Sequence, residues 1–71
     1  MLTNPVINAN GSQRWYLDGK CHRTDGPAII DADGSQYWYL GGKAYNFKDF
    51  CAVVKLSYED ELILRLKYNV N

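Results

Sequence analysis

Seventy-one residues with no net charge are enough for one small domain. A chain of this length buries only about 60% of the surface that its unfolded form exposes. Its folded state therefore needs a dense core, a cross-link such as a disulfide or a metal, or a second chain to be stable. The eight basic and eight acidic residues do not cluster, which argues against the basic surface that phosphate binding requires and disfavours a nucleic-acid partner.

The first two thirds of the chain predict a meander of short antiparallel strands. Turn signals at seven- or eight-residue spacing separate short runs that are rich in Trp, Tyr, Ile and Val. Each signal is Asn-Gly, Asp-Gly or Gly-Gly, which suits a type I′ turn because both central residues of that turn need positive φ. The signals lie at 10–11, 18–19, 25–26, 33–34 and 41–42. We predict strands near 5–9, 12–17, 20–22, 27–31, 35–40 and 43–45.

A repeat underlies this part of the chain. The segment Gly11–Lys20 recurs 23 residues later as Gly34–Lys43, with eight of ten positions identical. Apolar pairs precede both copies with the same offset, Val6-Ile7 before the first and Ile29-Ile30 before the second. Such self-similarity is typical of a duplicated structural unit, here a β-hairpin.

Strand alternation assigns the two faces of each copy. Trp15 and Leu17 share one face, and Trp38 and Leu40 share the equivalent face. We predict that this Trp/Leu face is buried, with the two ribbons edge to edge and both indole rings beneath the C-terminal third. The opposite face then carries Arg14, Tyr16, Tyr37 and Tyr39.

Residues 15–28 read Trp-Tyr-Leu-Asp-Gly-Lys-Cys-His-Arg-Thr-Asp-Gly-Pro-Ala. This string resembles the repeat Trp-Tyr-Leu-x-Gly-Lys-x-His-Arg-x-Asp-Gly-Pro-Ala of small phage and bacterial proteins, which is similar to variant MORN repeats. The resemblance covers roughly residues 5–45, and the second copy departs from it after Lys43. It implies a β-meander and a viral or bacterial origin, and it implies no activity.

The hydrophobic period changes after residue 46. Asn46 is predicted to cap a helix from Phe47 to about Leu56, because apolar residues then follow at helical spacing. The stripe consists of Phe47, Phe50, Cys51 and Val54.

A second helix is predicted after Ser57, a further candidate N-cap. Acidic residues 59–61 crowd its first turn, and Arg65 and Lys67 lie near its end, which complements the helix dipole. Residues 62–70 also alternate as a strand would, but we favour the helix because the cap signals agree. The apolar residues that would line one helix face are Tyr58, Leu62 and Leu66. The predicted fold class is α+β, one domain over 1–71 in which a helical cap (46–71) covers a repeat β-meander (5–45).

Cysteine content and targeting signals favour a cytoplasmic protein. Cys21 and Cys51 allow one disulfide at most, which is sparse for a secreted scaffold. The N-terminal residues carry no basic start and no apolar run of a secretory signal, and no stretch reaches the ~18 apolar residues of a membrane span. We therefore expect two reduced thiols and no membrane association.

A catalytic set is not evident in the sequence. His22 with Cys21 and Asp25 suggests a nucleophile, a base and an orienting group, but adjacent strand residues point to opposite faces. We therefore interpret His22, Arg23 and Asp25 as turn residues.

Other candidate sites have simpler explanations. One histidine and two distant cysteines do not make a metal site. Asp31 and Asp33 fit a turn, and the acidic residues 59–61 fit a helix start. The sequence therefore predicts a protein that is not an enzyme and has no cofactor, metal or catalytic residue.

The outer sheet face remains as a candidate binding surface. Tyr, Trp and Arg are enriched in binding hot spots, so we predict a protein-binding patch of Arg14, Tyr16, Tyr37 and Tyr39. The other interpretation is that these side chains form cross-strand pairs or pack under a terminal segment.

Our leading hypothesis is a phage-encoded factor that binds and modulates or inhibits a host protein, such as a component of a defence system. One alternative is a self-associating structural module that pairs through edge strands. A third is a weak single-stranded nucleic-acid binder that stacks bases on the tyrosines.

Overall fold

Seven short strands and two C-terminal helices make up the computed structural model, which describes residues 5–70. The predicted α+β class with antiparallel strands and a C-terminal helical segment is confirmed. The residues used for the secretory-signal prediction, 1–4, lie outside the described part. The strands are Val6–Ile7 (β1), Gln13–Arg14 (β2), Tyr16–Leu17 (β3), Lys20–Cys21 (β4), Ile29–Ile30 (β5), Gln36–Leu40 (β6) and Lys43–Tyr45 (β7). The helices are Phe47–Val54 (α1) and Tyr58–Lys67 (α2).

The strands form a five-stranded antiparallel sheet in the order β1-β2-β5-β6-β7 and a separate hairpin of β3 and β4. The predicted edge-to-edge contact of the two repeat ribbons is wrong, because β5 pairs with β2 on one side and with β6 on the other. The chain leaves the sheet at Trp15, between β2 and β3. The β3–β4 hairpin then joins the turn after β6 through backbone bonds from Arg23 N–H to Tyr39 O (3.2 Å) and from Gly42 N–H to Cys21 O (2.9 Å).

Two of the five predicted turns have the backbone of a type I′ turn. Both central residues have positive φ at 18–19 and at 41–42. At 10–11 and 33–34 only the glycine has positive φ, 90° and 91°. At 25–26 neither residue has positive φ, so the type I′ prediction is wrong at these three places.

The turns at 10–11 and 33–34 share one geometry, 23 residues apart. A side-chain oxygen closes each turn: Asn10 Oδ1 accepts from Ser12 N–H at 3.0 Å, and Asp33 Oδ1 accepts from Ser35 N–H at 2.9 Å. Asn and Asp favour such turns because their short side chains reach the backbone two residues on. The sequence repeat is therefore also a repeat of local structure.

The core lies between β6 and the helices. Trp38 is 6% exposed, and its ring centroid is 4.9 Å from that of Phe47 and 4.8 Å from that of Phe50. Cys51 and Leu64 complete the buried cluster. The partly buried residues around it are Leu40, Tyr45, Val54, Leu56, Tyr68 and Val70.

Local signals set both helix starts. Asn46 Oδ1 accepts from Asp49 N–H at 2.8 Å and caps α1 as predicted. The helix ends at Val54, two residues before the predicted end, because Lys55 takes a left-handed conformation with φ 63°. Ser57 caps α2, which runs to Lys67, so the strand alternative for 62–70 is wrong. No helix in residues 5–70 is long and apolar enough to cross a membrane.

The predicted burial of the Trp/Leu face is wrong in the first copy of the repeat. Trp15 is half-buried and lies outside the helical core, because the chain bends there and carries the β3–β4 hairpin away from the sheet. Leu17 is exposed on that hairpin. In α2 it is Leu64 that reaches the core, whereas the predicted face faces solvent at Tyr58, Leu62 and Leu66.

Candidate functional site

The sheet face opposite the helices holds three of the four predicted binding residues, and the fourth, Tyr16, lies on the separate β3–β4 hairpin. Tyr37 is the neighbour of the buried Trp38 on β6, so the two side chains point to opposite faces. Strand register places Tyr37 in one row with Ile29, Arg14 and Val6, which are successive Cα partners across four strands. Tyr37 is 45% exposed and Val6 is also exposed. The row therefore presents an aromatic ring, a cation and two aliphatic side chains on the outer surface.

Arg14 lies at the centre of this row. Its Nε is buried and has no hydrogen-bond partner in the described part of the chain. The neighbouring Tyr16 side chain, with a smaller contribution from the Asp31 carboxylate, raises the pKa of the Arg14 guanidinium above its ordinary value. The guanidinium is therefore a permanent cation beside a phenol, a combination that recognises carboxylates and carbonyl groups on a partner.

The other two tyrosines lie at either end of the outer face. Tyr39 follows Tyr37 by two residues on β6, so it shares the face, and it is half-buried opposite Ala44. Tyr16 is the cross-strand partner of Cys21 in the β3–β4 hairpin and contacts Arg14. Register thus brings Arg14 and Tyr37 into one row, with Tyr39 farther along β6 and Tyr16 on the adjoining hairpin. We call these four residues the outer-face set.

Arg23 has a role that the sequence analysis missed. Its side chain is only 12% exposed and binds Asp25 through Nε at 2.8 Å. Its other nitrogens donate to Pro27 O at 3.1 Å and to Tyr68 Oη at 3.0 Å. The guanidinium carbon lies 3.8 Å from the centroid of the Trp15 ring.

This arrangement ties the hairpin to the C-terminal turn and covers the first tryptophan. The string His-Arg-x-Asp-Gly-Pro at 22–27 was the only sequence feature that singled out Arg23. The hydrogen bond from Arg23 to Tyr68 joins residues 45 positions apart, so no local pattern predicts it. Because all three of its nitrogens have protein partners, Arg23 is built into the fold and is not free for a ligand.

The Cys21, His22 and Asp25 set does not assemble. His22 Nδ1 accepts from Gly41 N–H at 2.9 Å, and Asp25 binds Arg23. Cys21 and Cys51 are both free thiols, and burial, with a smaller contribution from Glu61, raises the pKa of Cys51. Within residues 5–70 no group of three or more His, Cys, Asp or Glu side chains could hold a metal ion.

A groove of about 560 Å³ opens on the helical side of the sheet. It runs from the turn before β6 to the C-terminal turn, and its lining contains no charged residue and none of the outer-face set. The lining residues are Gly34, Gln36, Trp38, Phe47, Tyr68, Asn69 and Val70. The lining thus combines aromatic side chains with the two amides of Gln36 and Asn69.

No protein-family model matches this chain, and neither a curated protein nor a solved structure matches it.

Proposed function

We propose that this chain is a small non-enzymatic protein-binding module whose outer-face set binds a host protein. The observation that carries the proposal is the row of Val6, Arg14, Ile29 and Tyr37, which lies on the sheet face opposite the helical core. Single exposed apolar residues are ordinary, whereas a continuous row of an aromatic, a cation and aliphatics is typical of an interface.

The physical basis of binding is preorganisation. Tyrosine offers a large contact area with only two side-chain torsions, so ordering it on binding costs little entropy. Antiparallel pairing holds Tyr37 and Tyr39 at fixed positions on β6, the longest strand of the sheet. Arg14 supplies the polar anchor, a cation that strand register places in one row with Tyr37.

The biological setting rests on the repeat string at 15–28, which resembles repeats of small phage proteins. On that basis we propose a phage-encoded factor that acts in the host cytoplasm, where it modulates or inhibits a defence or transcription protein. Zero net charge supports a protein partner over a nucleic acid.

The test is capture from host lysate with the tagged chain, followed by affinity measurement on the purified partner. We expect Tyr37→Ala to weaken binding by about 30-fold or more, the loss of one hot-spot residue, and Arg14→Ala to weaken it further. The matched controls lie on α1: Val53→Ala, whose exposure of 53% is close to that of Tyr37, and Lys48→Ala. Neither control should change the affinity.

Three results would overturn the proposal. One is the absence of any partner at micromolar concentration of the chain. Another is a partner held equally well by Tyr37→Ala. The third is a partner lost equally in the α1 controls, which would place binding on the helical side. Circular dichroism of each variant verifies that the fold is intact, which we expect because exposed side chains contribute little to stability.

A further inference from the structure

Helix α2 carries an apolar stripe that faces solvent. Tyr58 is 77% exposed and Leu66 is 76% exposed, and Leu62 and Ile63 between them are exposed as well. Leu64 is the one buried side chain of the helix. Apolar side chains this exposed and this close together mark a surface that another molecule covers.

The spacing of the stripe fits a helical partner. Positions 58, 62 and 66 recur every four residues, and Ile63 adjoins them, so the side chains form one continuous ridge along the ten-residue helix. A ridge of this kind packs against the ridge of another helix. Both helices within residues 5–70 are already used in the fold of the chain, so we look for the partner helix in another molecule.

The charges of α2 indicate which molecule. Its first turn is acidic, with Glu59, Asp60 and Glu61, and its last turn is basic, with Arg65 and Lys67. Glu61 and Arg65 already bind each other at 3.3 Å, which leaves Glu59, Asp60 and Lys67 available. Two copies of α2 packed antiparallel place the acidic end of each beside the basic end of the other, and their helix dipoles are opposed.

We propose that a second copy of this chain docks on α2, with the two helices antiparallel about a twofold axis near Leu62. Such an interface is self-complementary: Tyr58 of one copy meets Leu66 of the other, and the two Leu62 side chains meet at the axis. A standard interface uses about 20–30 residues per partner, so a ten-residue helix gives a weak dimer with dissociation in the micromolar range. The dimer leaves the outer-face set free, so it neither requires nor excludes host binding.

Molar mass as a function of concentration tests the dimer. Sedimentation equilibrium should show the mass rising from the 8.1 kDa of the monomer towards twice that value between about 10 μM and about 1 mM. Leu66→Asp should hold the chain at the monomer mass, since it buries a carboxylate in the contact. A monomer at every concentration overturns the proposal. Dimerisation that persists in Leu66→Asp, or that is lost in Val6→Asp at the sheet edge, overturns it as well.

Charge reversal tests the antiparallel arrangement independently of the apolar contact. Glu59→Lys and Lys67→Glu should each weaken the dimer several-fold, and the double variant should regain most of the loss. Additive weakening in the double variant would contradict the arrangement. Both positions are exposed, so far-UV circular dichroism and the thermal midpoint of each variant should match those of the native chain.

Discussion

Arg23 links the segment after the β3–β4 hairpin to Tyr68 at the end of α2. Its replacement should therefore lower the free energy of unfolding strongly. Arg23→Lys keeps the positive charge but loses the planar fork that binds Asp25, Pro27 and Tyr68 at once, and it loses stacking on Trp15. The lysine ammonium reaches one or two of these partners. The substitution therefore separates the geometry of the guanidinium from its charge.

The magnitude follows from the individual contacts of Arg23. The pair with Asp25 contributes little, since the carboxylate is 56% exposed and such pairs are worth about 0–1 kcal/mol. The guanidinium also donates partly buried hydrogen bonds to Pro27 O and Tyr68 Oη. Each of these contributes about 1 kcal/mol to the free energy of unfolding, because water replaces the bond in the unfolded chain. Stacking on Trp15 adds about 0.5–1 kcal/mol. We expect Arg23→Lys to cost about 1–2 kcal/mol and Arg23→Ala about 2–4 kcal/mol. A core of this size supplies only about 3–5 kcal/mol, so the alanine variant should keep only a small remaining free energy of unfolding.

Urea unfolding followed by far-UV circular dichroism measures the effect. With a slope of about 1 kcal/mol per molar, the midpoint should fall by about 1–2 M for Arg23→Lys. Arg14→Ala is the matched control, an arginine on the outer face, and should shift the midpoint by less than about 0.5 M. A double-mutant cycle with Tyr68→Phe should give a coupling of at least about 0.5 kcal/mol. The reasoning fails if Arg23→Lys unfolds at the native midpoint, or if the cycle shows no coupling.

Three further predictions concern a glycine, a thiol and a turn carboxylate. Gly26→Ala should destabilise by about 1–3 kcal/mol in urea unfolding, because the added Cβ would lie 2.7 Å from Tyr68 Oη and 2.8 Å from Arg23 Cζ; native stability would contradict this packing. Burial raises the pKa of the Cys51 thiol above its ordinary value of 9.0. The thiol therefore stabilises the folded state at pH values below 9.0, and this stabilisation is lost as the pH rises through the higher pKa of the folded state. A thiol reagent should accordingly modify Cys51 only after unfolding, and rapid modification of the native chain would refute its burial. The backbone N–H of Ser35 lowers the pKa of the Asp33 carboxyl below its ordinary value of 3.8. The carboxylate therefore stabilises the folded state at pH values above 3.8, and this stabilisation is lost as the pH falls through the lower pKa of the folded state. Asp33→Asn should flatten this acid dependence of the urea midpoint, and an unchanged acid dependence would show that the turn bond is not its source.

Local chemistry made several features predictable from the sequence. The N-caps at Asn46 and Ser57 were identified correctly because each cap depends on a backbone N–H only three residues away. The turns at 18–19 and 41–42 were identified because two consecutive residues with positive φ need Gly or Asp-Gly. Strand alternation placed Tyr37 and Tyr39 on the face opposite Trp38, because this rule needs no knowledge of the neighbouring strands.

The two tryptophans show where such local rules end. Trp15 and Trp38 lie in nearly identical segments, yet Trp38 joins the helical core and Trp15 lies against Arg23. Arg23 itself has no counterpart in the second copy, where Asn46 stands 23 residues on and caps α1 instead. The two copies therefore diverge after Lys20 and Lys43, where Arg23 of the first copy covers Trp15 and Asn46 of the second starts the helix that covers Trp38.

Sequence by itself indicated the element types, the turn positions, both helix starts and the alternation of faces along β6. The tertiary structure alone decided that β5 separates the two repeat copies, that Leu64 and not the Tyr58 stripe of α2 is buried, and that Arg23 reaches Tyr68. The physical reason is that these two groups of features depend on contacts of different separation along the chain. Backbone hydrogen bonds within a turn or cap involve neighbours along the chain, whereas burial depends on which distant surfaces meet, and short, locally similar segments carry no record of that choice.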